Sequence, residues 1–344
     1  MTTLRQLLAI DLPIIQAPMA GSQGSALAIA VSRAGGLGSL PCAMLNPEAT
    51  RSELTAIRAR TDRPFNVNFF CHTPPAPDAR RDAAWRAALA PYYDELGVDA
   101  GKIAAGPARA PFNDVAADLL DEFRPAVVSF HFGLPSAPLL ARARRCGAKV
   151  LASATTVDEA RWLEAHGADA IIAQGLEAGG HRGLFLSDDL STQVGTFALL
   201  PQIVHAVRLP VIAAGGIADA RGVKAALALG AAGVQVGTAY LLCPEAATSA
   251  VHRAALKSEA ARHTALTRLF SGRPARGIVN RLMRELGAMS DAAPAFPLAG
   301  AALAPLRARA EAQGSGDFSP LWSGQNATGC AEIPAAELTR RLCG

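Results

Sequence analysis

The segment QGLEAGGHRG at 174–183 sets an imidazole directly behind two glycines. Gly179 and Gly180 permit a tight turn and a close approach of a ligand to the backbone. An imidazole on such a turn serves at neutral pH as a base or as the neighbour of an anionic substrate. His181 is therefore the candidate catalytic residue. Glycine turns recur at Gly215–Gly216 in AAGGI and at Gly237–Thr238 in VQVGT. Amide N–H groups presented by such turns bind phosphate. One such turn reads as an ordinary chain reversal; three together point to a phosphorylated ligand. A second imidazole, His131 in HFG, is a weaker candidate that is expected to make one structural hydrogen bond. The other histidines, at 72, 166, 205, 252 and 263, read as loop or helix-surface residues. No metal is expected, because no triad of ligands has metal-binding spacing. Asp188 and Asp189 are adjacent and point apart, Ser153 and Thr155 lack a nucleophile elbow, and Cys71 beside His72 reads as incidental.

These residues need a frame that brings them to one mouth. Eight short runs read as strands: 13–19 (PIIQAPM), 36–40 (GLGSL), 65–70 (FNVNFF), 126–132 (AVVSFHF), 149–154 (KVLASA), 169–174 (DAIIAQ), 210–215 (PVIAAG) and 233–240 (GVQVGTAY). Most are apolar through the middle and bounded by Gly or Pro, as buried parallel strands are. Helical patterns alternate with them. Thr156 with Glu159 predicts a capping box, Gly167 ends that helix, and Asp219 caps the helix that stops at Gly230. Eight βα units without a G-x-G-x-x-G fingerprint favour an α/β fold of the (β/α)8 TIM-barrel type. Catalytic and binding groups then lie at the C-terminal strand ends, where amides, hydroxyls and imidazoles collect. That inventory suits a heterocyclic cofactor more than a metal.

Two stretches break the rhythm. The connection at 71–125 contains PPAPD and a helix-like AAWRAALAPYYDELG, and predicts an excursion over the barrel mouth. Residues 244–322 show helical patterns and few strand runs, and predict a small helical cap domain. The barrel is then 1–243 and 323–344.

Composition sets the remaining bounds. A chain of 344 residues, 50% hydrophobic and 18% charged, is globular and long enough for a large core. The net charge of +4 is spread out. Its densest cluster, Arg142, Arg144, Arg145 and Lys149, reads as a solvated helix face, and no basic stripe with interleaved aromatics points to nucleic acid. Six scattered cysteines without a C-x-x-C pair read as reduced thiols of a cytoplasmic protein. The first residues carry no signal-peptide pattern. The uncharged stretch 225–244 is broken by three glycines and reads as helix end, turn and buried strand, not as a membrane span.

Taken together, QAPMAG (16–21), FNVNFF (65–70), SFHFGLP (129–135), QGLEAGGHRG (174–183), AAGGIAD (213–219), VQVGTAYLLCPE (234–245), SGRPARGIVN (271–280) and LWSGQNA (321–327) resemble the nitronate monooxygenases, over nearly the whole chain and in family order. EAGGHRG with SFHFGLP is the specific part. The resemblance implies noncovalent FMN. It sets Gln16, Ala17, Pro18 and Met19 beside the isoalloxazine, and has Asn68 and Gln174 hydrogen-bond the ring or ribityl chain. It puts Gly179, Gly216, Gln235, Val236, Gly237 and Thr238 around the ribityl phosphate, with Gly180 and Gly215 in the same turns. His181 faces the substrate. The implied reaction is oxidation of alkyl nitronates, propionate 3-nitronate foremost, by O2 to a carbonyl compound plus nitrite or nitrate, a detoxification. The partners implied are a small-molecule nitronate and O2, with a homodimer as the assembly expectation and neither nucleic acid nor membrane. Family pockets often carry tyrosines. This chain has only Tyr92, Tyr93 and Tyr240, so Phe296 and Trp322, with His131, are expected to fill that space. FMN-dependent NAD(P)H:quinone reductases and enoyl-thioester reductases share the barrel and the GGH turn, and are the alternative. A non-catalytic flavin- or phosphate-binding protein is the alternative of another class.

Overall fold

Side-chain alternation decides what each strand offers to the barrel interior and what it offers to the helices outside. In the computed structural model, which describes residues 3–103 and 109–344, the eight runs form β1 (Ile14–Gln16), β2 (Gly38–Pro41), β3 (Phe65–Phe70), β4 (Val127–His131), β5 (Lys149–Ala154), β6 (Ala170–Gln174), β8 (Val211–Ala214) and β9 (Gly233–Val236). A two-residue strand, β7 (Gly180–His181), lies between β6 and β8. The eight are parallel in the order β1-β9-β8-β6-β5-β4-β3-β2. The ring closes where Leu37 N donates to Ile14 O and Gln16 N to Leu37 O, each at 2.9 Å. This is a (β/α)8 barrel. Two strands end earlier than their apolar runs. Pro18 has no N–H to continue β1, and residues beyond Gly237 coil into the 3-10 turn Thr238–Leu242.

Inside the barrel, Ile15, Leu37, Val127, Leu151, Ala170, Ile172 and Ile212 form an apolar plug, closed from below by Leu4 and Leu8 of the N-terminal helix. Toward the mouth the same inward positions turn polar: Asn66, Asn68, Ser129, Ser153 and Gln174. Outward positions such as Val67, Phe69, Val128 and Phe130 pack under the helices.

The helix signals hold, with one change. Asp219 accepts from Gly222 N at 2.9 Å, and Thr156 accepts from Glu159 N at 3.2 Å. Glu159, however, does not close the box on Thr156. Its buried carboxylate accepts from Thr155 N and Oγ1 and from Phe185 N, because these donors converge on it from two segments. The stretch 225–244 divides into a helix end, β9 and the 3-10 turn, and no helix among the described residues is long and apolar enough to cross a membrane. Arg142 is not merely solvated. It pairs with Asp114 at 3.2 Å, Asp118 at 2.6 Å and Asp121, all on the neighbouring helix Asp114–Phe123.

The connection at 71–125 holds the helix Ala79–Leu96; residues 104–108 of it lie outside the described residues. Residues 244–322 hold the helices Ala250–Leu256, Arg281–Leu286 and Ala299–Ala312 and, in addition, an antiparallel ribbon of β10 (Thr264–Thr267) and β11 (Ala275–Ile278). Neither ribbon strand shows a strong apolar run, TALT and ARGI, which is why sequence pattern points to helices there. The helices Ala79–Leu96 and Ala299–Ala312 share a core around Trp85, whose indole N–H donates to Ala299 O at 3.0 Å, and Tyr93, whose hydroxyl donates to Ala302 O at 2.8 Å. Trp85 is 0% exposed. Trp85→Ala is expected to cost about 3–5 kcal/mol of stability, read as a lower urea-denaturation midpoint; an unchanged midpoint would show that the excursion is not packed as described.

Candidate active site

The His181 turn is built from the end of β6. Gln174 is the last inward residue of that strand, and its amide closes the loop that follows. Its Nε2 donates to His181 O at 2.9 Å, and its Oε1 accepts from Gly183 N at 2.7 Å. Arg182 then folds back under the loop. Its Nη2 donates to Gln174 O at 2.8 Å, its Nη1 to Gly175 O at 2.7 Å, and its Nε to Gln193 Oε1 at 3.0 Å. Gly180 and His181 emerge as β7 and pair with Arg276 and Ala275 of β11, so the turn becomes the third strand of the ribbon. Arg276 Nε donates to Leu176 O at 2.9 Å and fastens the same loop from the ribbon side.

The imidazoles are neutral and oriented. His131 Nε2 lies 3.2 Å from His181 O, a pure acceptor, so it carries the hydrogen; Nδ1 then accepts from Ser153 Oγ at 3.0 Å. Burial pushes the His131 pKa down to about 3. His181 Nε2 meets Ser271 Oγ at 2.9 Å. Ser271 Oγ also lies 3.3 Å from Arg273 O and accepts from Arg273 N at 3.4 Å, so the contact fits either neutral tautomer of His181. Nδ1 of His181 has no protein partner among the described residues. Burial first, then electrostatic coupling to the neighbouring His131, Arg109, Arg273 and His72, holds the His181 pKa well below the ordinary value. Phe296 packs its ring 5.3 Å from the imidazole, with Phe132 at 6.0 Å and Trp322 at 5.7 Å.

His181 opens on a cavity of about 250 Å³ at the barrel mouth, lined by Ala17, Pro18, Met19, Asn68, His131, Gln174, Gly179, Gly180, Gly215, Gly216, Gln235, Gly237, Thr238 and Trp322 among others. Among the described residues, the amides of Gly215, Gly216 and Ile217 and those of Gly237 and Thr238 donate to no other protein group. Gly215 and Gly216 have φ of +117° and +71°, a conformation that favours glycine. Gly179 is fixed by packing instead: a Cβ there would come within 2.5 Å of Gly324 N. Gln235 Oε1 is buried without a partner and belongs to the same wall.

Three expected site residues stand elsewhere. Gln16 shares the outward face of β1 with Ile14. It is consumed by Ser39 N at 3.0 Å and Gln23 Oε1 at 2.5 Å, and Gln23 in turn holds Met19 N at 3.0 Å. Val236 faces outward with Val234 into the core under the helices. Phe296 backs the imidazole and is not part of the cavity wall. None of the three tyrosines lines the cavity. Two histidines expected at the surface are buried. His72 packs edge-on against Phe296 at 4.8 Å and donates from Nε2 to Arg109 O at 3.0 Å. His252 donates from Nε2 to Trp322 O at 3.1 Å, and burial pushes its pKa down to about 4. Sequence reasoning missed Ser271, Arg109 and Arg273. SGRPARG was legible as a motif, but nothing local says that its serine reaches across ninety positions to His181.

The sequence model of the nitronate monooxygenase family matches residues 1–344. The nitronate monooxygenases of Paraburkholderia phytofirmans and Pseudomonas aeruginosa are each 45% identical to the chain. The first match covers 98% of this chain and 93% of the relative, the second 98% and 97%. Among solved structures, nitroalkane oxidase from Streptomyces ansochromogenes superposes with a TM-score of 0.89 at 39% identity, over 98% of this chain and 96% of that one. FabK from Thermotoga maritima gives 0.75 at 30% identity, over 99% and 95%. The chain belongs to the nitronate monooxygenase family, flavin-dependent oxidoreductases that act on nitronates.

Proposed function

We propose that this enzyme uses FMN to oxidise alkyl nitronates, propionate 3-nitronate foremost, with O2 to a carbonyl compound plus nitrite or nitrate. The observation that carries the reading is a neutral imidazole on a cavity whose far wall presents unpaired backbone amides. Those amides, with the unpartnered Gln235 Oε1, fit a ligand that is a phosphate at one end and a hydrogen-bonding heterocycle at the other. Gly215, Gly216, Gly237 and Thr238 would hold the phosphate, with Gly179 and Gly180 closing the turn. Ala17, Pro18, Met19 and Asn68 would flank the ring. FMN, when bound, supplies the electron-accepting and O2-reducing chemistry. The protein orients and desolvates. In the tautomer in which Ser271 takes Nε2–H, His181 presents Nδ1 as a hydrogen-bond and proton acceptor. The imidazole keeps its place because Gln174 and His131 both donate to its backbone carbonyl. The surrounding guanidinium groups give the cavity a positive potential that draws in a nitronate anion.

His181→Asn removes the acceptor and leaves the amide turns intact. Turnover is expected to fall about 10²–10⁴-fold while the purified variant keeps one FMN per chain in its visible spectrum. Full turnover in that variant would sink the catalytic assignment. Anaerobic mixing separates the reductase alternative: propionate 3-nitronate is expected to bleach the flavin promptly and NADH is not, and the reverse result would replace this reading.

The depressed imidazoles also set a pH dependence. His131, His181 and His252 are neutral when folded, whereas the unfolded chain titrates them near the ordinary value of 6.5. As pH falls below that value the unfolded state binds more protons, so folding stability decreases toward pH 4. Urea-denaturation midpoints are expected to drop steadily from pH 7 to pH 5; a flat series would mean that these rings are not buried in the neutral form.

A further inference from the structure

Two cations other than histidine line the cavity, Arg109 and Arg307. Arg307 is compensated, since its Nε donates to Glu311 at 2.8 Å. Arg109 pairs with no carboxylate among the described residues, and its chain neighbours at 104–108, AAGPA, contain no acid. Burial alone lowers its pKa, with no acidic group acting against it. A half-buried guanidinium on a cavity wall without a counter-charge is ready to receive an anion. Its place is fixed: its carbonyl accepts from His72, and its guanidinium stands 6.0 Å from the ring of Phe296, which backs His181.

That anion is not the cofactor phosphate. The free amides sit at the ends of β8 and β9. The Arg109 segment runs beside the end of β3, where Phe112 N donates to Phe70 O at 2.8 Å. In the strand order β3 lies across the barrel from β8. Arg109 therefore stands on the side of the cavity away from those amides, with the aromatic cluster around His181.

We propose that Arg109 is the specificity-determining residue of this site: it binds the carboxylate of a nitronate that carries a second negative charge, and so selects dianionic over monoanionic nitronates. The proposal rests on the nitronate reading above. A planar guanidinium pairs with a carboxylate through two parallel hydrogen bonds, which Lys reproduces only in part.

The test compares the FMN-loaded wild type, Arg109→Gln and Arg109→Lys on propionate 3-nitronate and on propyl-1-nitronate. Arg109→Gln is expected to raise KM for the dianion about 30-fold, equivalent to about 2 kcal/mol, and to raise KM for the monoanion at least tenfold less than that. Arg109→Lys recovers part of the loss on the dianion. Succinate and butyrate, which carry no redox chemistry, give a second readout by perturbing the flavin spectrum; succinate is expected to lose affinity in Arg109→Gln and butyrate is not. Equal losses on both nitronates, or an unchanged succinate affinity, overturn the proposal. If the wild type oxidises neither nitronate, the functional reading fails, and the succinate and butyrate affinities still decide whether Arg109 reads a carboxylate.

Discussion

The Arg182 guanidinium, wholly buried against the end of β6, is the interaction on which the site depends. Gln174 and Gly175 present carbonyls at the point where the strand stops, and Arg182 donates to both. Among the described residues no carboxylate pairs with it. Three neutral acceptors satisfy the fork, and burial lowers its pKa to about 10. A buried cation held in this way stays charged only while every acceptor remains in place. The arrangement leaves residues 176–181 no freedom to swing, and presents Gly180 and His181 as a strand edge that β11 completes. Arg276 repeats the device from the ribbon by donating to Leu176 O. Two arginines thus fix the loop on which the imidazole is carried, and neither needs to touch a ligand.

The same crowd of cations explains the state of the histidines. A positive potential and a dry environment both oppose protonation, so His131 and His181 are neutral. A carbonyl that accepts from Nε2 settles the tautomer of His131, and Ser271 holds Nε2 of His181. Neither imidazole has a carboxylate partner among the described residues. An acid beside His181 would raise its pKa and weaken the field that attracts an anionic substrate.

Much of this was legible in the chain. The eight strands follow from apolar runs bounded by Gly and Pro, and the glycine turns at 179–180, 215–216 and 237 were visible as pairs in strand-end positions. Gln16 and Val236 could not be placed from the motif, because membership of a conserved-looking run says nothing about which face of the strand a residue takes. Period-two alternation from the inward Ile15 and Gln235 does assign both residues outward once the register is known. The ribbon was hidden for a different reason. TALT and ARGI have little apolar content, and β7 has only two residues; these strands exist because the barrel loop and the cap meet. His72 and His252 were misread because burial of a loop imidazole depends on aromatic and carbonyl partners tens or hundreds of positions away.

That division only partly follows the line between catalysis and selectivity, because the region beyond 244 also supplies Ser271, which hydrogen-bonds the imidazole, and Arg276, which fastens its loop. The imidazole, the two side chains that donate to its residue's carbonyl and the amide turns all belong to the barrel strands or to the loop that Arg182 ties to them. Arg109, His72 and Phe296 come from the excursion after β3 and from the region beyond 244, and they meet His181 only through side-chain packing. A substitution in those segments can change the charge and shape offered to the far end of a substrate without touching Gln174, Arg182 or the glycine turns. Among the described residues the cavity wall carries Arg109 and Trp322 and no tyrosine, whereas Gln174 and His131 at the strand ends hold the carbonyl of the imidazole residue.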